Sequence, residues 1–212
     1  MISTEKGMFS IFTILTSIIT GAFFPLLGSL IAFNLKVINS LYLEGIILTM
    51  FGGFIAHWVL AHTIHDLFHY EIEDRITISK NKLKTLFVLS ILVLLAIALY
   101  LTYKRGWPVL ILAIVGGILC LYAEGLLHHE SQMAFGAMFL VIGGFYVQAA
   151  TLEISVIVWL KVLSLSLFAF LSQYGWLLFY RLDDYNWSQK MKTRSILVTK
   201  SGLVFLIIYF LM

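Results

Sequence analysis

Ionisable side chains that can hold a metal ion are concentrated at the end of the second apolar segment. A helix through this stretch carries five of them on one face, at offsets of 0, 3, 4, 7 and 11: His62, His65, Asp66, His69 and Glu73. Carboxylates suit Mg²⁺, whereas imidazoles suit Zn²⁺, Fe²⁺ or Mn²⁺. The pattern therefore predicts a metal or ligand site, with a solvated helix end as the alternative.

A second polar group follows the sixth apolar segment. Two adjacent carboxylates, Asp183 and Asp184, precede the basic residues Lys190, Lys192 and Arg194. Carboxylates hold metal ions, and Lys or Arg side chains contact phosphate oxygens. This order favours a site for a metal–diphosphate complex, and the alternative is a basic loop with two incidental aspartates.

The histidines allow a different chemistry. All six stand in two groups, and His128, His129 and Glu130 form the smaller one. The spacing of His65 and His69 matches one piece of the signature of membrane di-metal hydroxylases. No His-x-x-His-His string is present in the sequence. A hydroxylase is therefore kept only as an alternative. The His128-His129-Glu130 string could ligate a metal, but a histidine pair in a loop is more often solvated.

Apolar segments must position these groups. The sequence is 61% hydrophobic and 12% charged, with a mean hydropathy of +0.98. A soluble chain of 212 residues cannot bury that much apolar surface, and runs of about 20 apolar residues match the thickness of a bilayer. We predict an all-α, polytopic transmembrane bundle that forms one domain over residues 1–212. Its seven segments are approximately 9–33, 41–62, 84–103, 108–127, 133–150, 154–180 and 195–212.

The loops between these segments carry an uneven charge. With seven crossings, ten of the 14 Lys and Arg residues fall on the side that holds both polar groups. Short cytoplasmic loops are enriched in Lys and Arg, so we expect this side to be cytoplasmic and the protein to lie in the cell or inner membrane. The net charge of +3 argues against nucleic acid as a partner.

The two polar groups resemble the aspartate-rich motifs of the UbiA superfamily of intramembrane aromatic prenyltransferases. The first family motif, N-D-x-x-D-x-x-x-D, is matched by the stretch from His65 to Glu73, and the second by Asp183 and Asp184 followed by Lys192-Thr193-Arg194. The stretch from Phe135-Gly136 to Tyr146-Val147-Gln148 is similar to the fifth helix of the naphthoate (menaquinone-pathway) branch.

This sequence departs from the family pattern at four positions. His65 stands in place of Asn, His69 and Glu73 in place of Asp, and Ser188 in place of the second aspartate of the later motif. The family has nine helices, whereas seven are predicted here. An additional copy or a second subunit that completes the bundle is therefore an expectation.

The resemblance implies a metal-assisted transfer of a polyprenyl group from its diphosphate to an aromatic or other electron-rich acceptor, in quinone or lipid biosynthesis, inside the lipid bilayer. The metal would be Mg²⁺, or Mn²⁺, Fe²⁺ or Zn²⁺ because of the histidines. Asp66 and Asp184 would be the catalytic residues. The implied metal ligands are Asp66, His69, Glu73, Asp184, His65 and Asp183, and the implied diphosphate contacts are Arg75, Lys192 and Arg194. The alternative is a non-catalytic relative with a binding, structural or transport role.

Overall fold

The computed structural model describes residues 8–71, 76, 78–121, 129–183 and 185–212. Over these residues the chain forms seven long helices and no strand. Helix α1 joins Ile11–Ser17, the π-helical turn Ile18–Phe23 and Phe24–Asn34, and α2 joins Leu43–Ile55, the π-helical turn Ala56–Leu60 and Ala61–Phe68. The others are α3 Lys80–Arg105, α4 Pro108–Leu121, α5 Glu130–Ala149, α6 Val156–Tyr180 and α7 Gln189–Leu211.

Most of these helices can cross a bilayer. Within the described residues, five are long and apolar enough: Thr13–Asn34, Leu43–Phe68, Lys80–Arg105, Val156–Tyr180 and Gln189–Leu211. Helices α4 and α5 are shorter but also apolar. Large apolar side chains on the outside of α3, such as Leu92 and Leu99, are 55% and 51% exposed, as lipid contact requires. The protein is an integral, multi-pass membrane protein, and the predicted all-α architecture is confirmed.

Two helices extend beyond the predicted apolar segments, both beside the polar groups. Helix α2 continues to Phe68 instead of ending near residue 62, and α7 begins at Gln189 instead of residue 195. Hydropathy placed both boundaries too far inside the membrane because polar residues lower the average, although a helix can extend beyond the hydrocarbon layer. His65 and Asp66 therefore lie on a helix, as the stripe pattern requires, and Lys192 and Arg194 lie on a helix instead of in a loop.

Helix α5 lies at the centre of the bundle and packs against α1, α2, α4 and α6. The core beside it contains Phe145, Ile31, Val162 and Leu165, which are all at most 4% exposed. Its contact with α1 is close: a Cβ atom on Gly144 would overlap the carbonyl oxygen of Pro25. Small residues allow such backbone contact in membrane proteins, where helices associate by packing.

Neighbouring glycines on α5 provide a test of this contact. We expect Gly144→Ala to cost about 1–3 kcal/mol of stability, because α1 must move away from α5. Gly143→Ala should not, since a Cβ atom there meets nothing within 4 Å and alanine is the better helix former. Thermal unfolding of both variants in detergent measures the difference. Equal melting temperatures for the two variants would contradict this packing.

The end of the bundle opposite the polar groups is held by hydrogen bonds from α5. The Gln148 side chain accepts from the backbone N–H of Tyr42 at 2.8 Å and donates to the Tyr42 carbonyl at 3.1 Å. The Tyr146 hydroxyl donates to the Arg105 carbonyl at 3.3 Å, and the Arg105 side chain donates to the carbonyls of Val147 and Gln148. The α5 segment that resembles the naphthoate branch thus ties the α1–α2 and α3–α4 connections together.

Candidate functional site

The polar groups meet at one end of the bundle because successive helices alternate in direction. Helices α2 and α6 end there, and α5 and α7 begin there. His129 precedes α5 and its ring accepts a hydrogen bond from the backbone N–H of Ser131 at 3.2 Å, so this histidine caps a helix. This alternation of direction is the reason why the polar groups share one end of the bundle.

The first group is built on the last turn of α2. The Nδ1 atom of His65 lies 3.2 Å from Oδ1 of Asp66, and both side chains are largely buried, at 15% and 17% exposure. The His65 and His69 rings stack with centroids 4.6 Å apart. Nδ1 of His69 lies 2.9 Å from the His65 carbonyl oxygen, so Nδ1 carries the proton and Nε2 the lone pair in the neutral ring.

Helix α2 ends at Phe68, and His69 is its C-terminal cap. The sequence pattern predicts a helical face that runs from His62 to Glu73. In the structure, His62, His65 and Asp66 lie on α2, and His69 caps it. Glu73 and Arg75 lie outside the described residues. Their predicted roles, in metal binding and diphosphate binding respectively, stay predictions.

The second group is organised by a buried carboxylate that the sequence did not single out for this role. Glu130, the first residue of α5, is 2% exposed and forms a 3.0 Å ion pair with Arg181. The Tyr185 hydroxyl donates to the same carboxylate at 2.5 Å. These contacts hold the α6–α7 connection against the start of α5. We refer to Glu130, Arg181 and Tyr185 as the Glu130 cluster.

The α6–α7 connection is a compact turn around a buried leucine. The backbone N–H groups of Tyr185 and Trp187 donate to the carbonyl of Leu182, at 3.1 and 2.9 Å, and Leu182 is 1% exposed. Asp183 on this turn is exposed, which leaves its carboxylate accessible from solvent. Asp184 lies outside the described residues, so its predicted catalytic and metal roles stay predictions.

The two predicted diphosphate contacts on α7 rest on aromatic rings. The Lys192 ammonium lies 5.5 Å from the centre of the Trp187 ring. The Arg194 guanidinium lies 5.6 Å from the centre of the Tyr174 ring and donates to the Tyr174 hydroxyl. Such cation–π contacts restrain the charged ends of long side chains. Both cations stand in the first two turns of α7, where the helix dipole also favours an anion.

The described donors do not by themselves form a metal site. Among residues 8–71, 76, 78–121, 129–183 and 185–212, no three His, Cys, Asp or Glu side chains come together as metal ligands. His65, Asp66 and His69 are the right types of donor, but the two family positions that would complete the set are Glu73 and Asp184. Metal binding therefore remains a prediction.

An apolar cavity of about 500 Å³ lies inside the bundle. It extends from Leu101, Val109 and Val147 at the far end to Leu60, Ala61 and Leu177 toward the polar groups. Glycines open space along the walls: a Cβ atom on any of Gly116, Gly117, Gly136 and Gly143 would meet nothing within 4 Å. The volume falls within the range of about 300–1,000 Å³ that is usual for ligand pockets.

The sequence matches no protein-family model and no curated protein. Among solved structures, the fold is similar to that of digeranylgeranylglyceryl phosphate synthase, a prenyltransferase of the UbiA superfamily studied in membranes. The TM-score is 0.59 at 17% sequence identity, over 92% of this chain and 76% of the other. The chain has a UbiA-like fold. This confirms the fold that the resemblance implied, whereas the match of the two polar groups to the family motifs and the naphthoate branch stay predictions. Because a fold can host several functions, the chemistry has to be argued from the site.

Proposed function

We propose that the protein is a prenyltransferase that moves a polyprenyl group from its diphosphate to an electron-rich acceptor within the membrane. The observation that carries the proposal is the apolar cavity, which leads from the far end of the bundle toward the end that holds His65, Asp66, Lys192 and Arg194. An isoprenoid diphosphate has the same division, since a long apolar chain ends in a strongly anionic group.

The reaction that fits this arrangement breaks the allylic C–O bond, and the diphosphate leaves with the electron pair. An electron-rich carbon or oxygen of the acceptor then bonds to the allylic carbon and loses a proton. The cavity protects the allylic cation from water. Lys192 and Arg194 stabilise the charge that develops on the diphosphate, with Arg75 as a further predicted contact.

We propose a divalent metal as the cofactor, held by Asp66, His69, Glu73 and Asp184, with His65 and Asp183 as additional donors. When bound, such an ion neutralises charge on the diphosphate. The imidazole donors shift the preference toward Mn²⁺, Fe²⁺ or Zn²⁺ relative to an all-carboxylate site. We place the polar end in the cytoplasm because the Lys and Arg residues are concentrated there. An acceptor of the quinone or lipid class fits a membrane site.

Calorimetric titration of the detergent-solubilised protein with geranylgeranyl diphosphate tests the proposal. We expect binding in the presence of Mg²⁺ or Mn²⁺ that weakens at least about tenfold, or 1.4 kcal/mol, with a chelator. Geranylgeraniol, which lacks the diphosphate, is the matched control and should bind equally with and without metal. If no metal increases the affinity for geranylgeranyl diphosphate, the non-catalytic alternative is the better description. If metal-dependent binding is found, product formation with a panel of aromatic and lipid acceptors establishes transfer.

A further inference from the structure

The apolar cavity carries one polar patch, which none of the proposed roles uses. Thr20, His57 and Gln173 line the cavity. Thr20 and His57 stand on the π-helical turns of α1 and α2. These turns contact each other. The first turn also packs against the part of α2 that precedes the second turn, since a Cβ atom on Gly21 would lie 2.5 Å from the carbonyl oxygen of Gly53. π-Helical turns inside α-helices are frequent at functional sites.

Each group in the patch has one partner in the protein. The Thr20 hydroxyl donates to the side-chain oxygen of Gln173 at 2.9 Å. The Nδ1 atom of His57 lies 3.0 Å from the hydroxyl oxygen of Ser17. Ser17 and Thr20 are three residues apart on α1, so they occupy neighbouring positions on its surface. The His57 and Gln173 side chains are therefore presented to the same part of the cavity.

The hydrogen-bond network determines which His57 nitrogen carries the proton. Ser17 is fully buried at 0% exposure, and within the described part of the chain His57 is its hydroxyl's only hydrogen-bond partner. A buried hydroxyl proton needs an acceptor, so Ser17 donates to Nδ1. In the neutral ring the proton then resides on Nε2.

Two donors are left without partners on the cavity wall. Among the described residues, neither Nε2–H of His57 nor the side-chain NH₂ of Gln173 has a hydrogen-bond partner. Gln173 is only 6% exposed, and buried donors are costly to leave unsatisfied. In a cavity lined mostly by apolar side chains, a pair of donors matches one oxygen atom that accepts two hydrogen bonds.

We propose that Thr20, His57 and Gln173 form a subsite for a carbonyl or phenolic oxygen of the acceptor molecule. This inference rests on the proposed prenyl transfer for the identity of the occupant. Asp66 follows His57 by nine residues, about 13.5 Å along a helix at 1.5 Å per residue. That interval accommodates the reacting end of the prenyl diphosphate and one aromatic ring system. His57 and Gln173 bind and orient the acceptor ring, and Thr20 positions Gln173.

A matched pair of probes tests the subsite directly. 2-Acetylnaphthalene carries a carbonyl oxygen, whereas 2-ethylnaphthalene has nearly the same shape without it. We expect the ketone to bind about tenfold more tightly, as one or two hydrogen bonds would give. Equilibrium dialysis, corrected for protein-free micelles, measures both affinities. Equal affinity of the two probes for the wild-type protein would overturn the proposal.

Substitutions assign the preference to the two donors. His57→Phe and Gln173→Leu should each reduce the ratio of the two affinities severalfold and leave the affinity for 2-ethylnaphthalene unchanged. Thr49→Val is the control, because Thr49 lines the same cavity but its hydroxyl already donates to the Gly45 carbonyl at 2.8 Å. A ketone preference that survives in both donor variants would overturn the assignment.

A spectroscopic measurement avoids dependence on the folding of any variant. In wild-type protein labelled with ¹⁵N-histidine, His57 should show a protonated Nε2 whose resonance moves when 2-acetylnaphthalene is added and stays when 2-ethylnaphthalene is added. A protonated Nδ1, or a resonance that does not move when the ketone is added, would overturn the proposal.

Titration with geranylgeranyl diphosphate distinguishes failure of the subsite from failure of the proposed function. Binding of the ketone without binding of the diphosphate would support the subsite and reject prenyl transfer.

Discussion

Arg181→Met is expected to lower the free energy of unfolding by about 3–5 kcal/mol, the cost of leaving a buried charge without its partner. Glu130 is 2% exposed, and its described partners are Arg181 at 3.0 Å and the Tyr185 hydroxyl at 2.5 Å. The substitution keeps an apolar stem of similar length but removes the positive charge. Of the described partners, Tyr185 then remains to stabilise the carboxylate.

Thermal or denaturant unfolding in detergent measures this loss, and two further variants show its cause. Glu130→Gln combined with Arg181→Met removes both charges, so it should recover much of the stability. Lys80→Met is the control for loss of an exposed pair. Lys80 and Glu71 are 44% and 77% exposed at 2.8 Å, and such pairs contribute at most about 1 kcal/mol. If Arg181→Met costs no more than Lys80→Met, the Glu130 cluster does not stabilise the fold.

The Glu130 cluster also connects stability with the proposed reaction. Arg181 and Tyr185 flank the stretch that contains Asp183 and Asp184, and Glu130 attaches both of them to α5. Loosening this attachment would let the α6–α7 connection move relative to the cavity. In the proposed reaction, Glu130 would therefore be a positioning residue that holds the α6–α7 connection.

The architecture could be predicted from the sequence because the bilayer imposes a simple constraint. Every backbone polar group in the hydrocarbon layer must bond internally, so a run of about 20 apolar residues has few alternatives to a helix. Alternation of direction then placed His65, Asp66 and Lys192 at the same end of the bundle. These conclusions depend only on order and length along the chain.

The internal geometry could not be predicted in this way. Glu130 and Tyr185 are 55 residues apart, and nothing local in the sequence pairs them. Gly143 and Gly144 are adjacent and chemically identical, yet a Cβ atom on Gly143 would meet nothing within 4 Å, whereas one on Gly144 would overlap the Pro25 carbonyl oxygen. The partners of His57 and Gln173 likewise depend on how three helices pack, and a stripe pattern along α2 alone contains no such information.

The exposure of two carboxylates on the same stretch leads to the second large prediction. Asp66 is 17% exposed and Glu71 is 77% exposed. A carboxylate that is largely removed from water needs compensating charge or hydrogen bonds. His65 supplies one contact at 3.2 Å, and a bound metal–diphosphate complex would supply the remainder. Glu71 already has Lys80 as its partner and needs no ligand.

Asp66→Ala is therefore expected to weaken metal-dependent binding of geranylgeranyl diphosphate by about 100-fold or more, since loss of groups that merely orient metal ligands costs about 10–100-fold. Glu71→Gln, the control from the same stretch, should bind like the wild type. Calorimetry with Mn²⁺ measures both, and Asp66→Asn tests whether size alone matters, because it keeps the volume but loses the charge. Wild-type affinity in Asp66→Asn would show that the charge is not used. In that case the near burial of Asp66 would reflect its contact with His65, and the metal would have to be sought elsewhere.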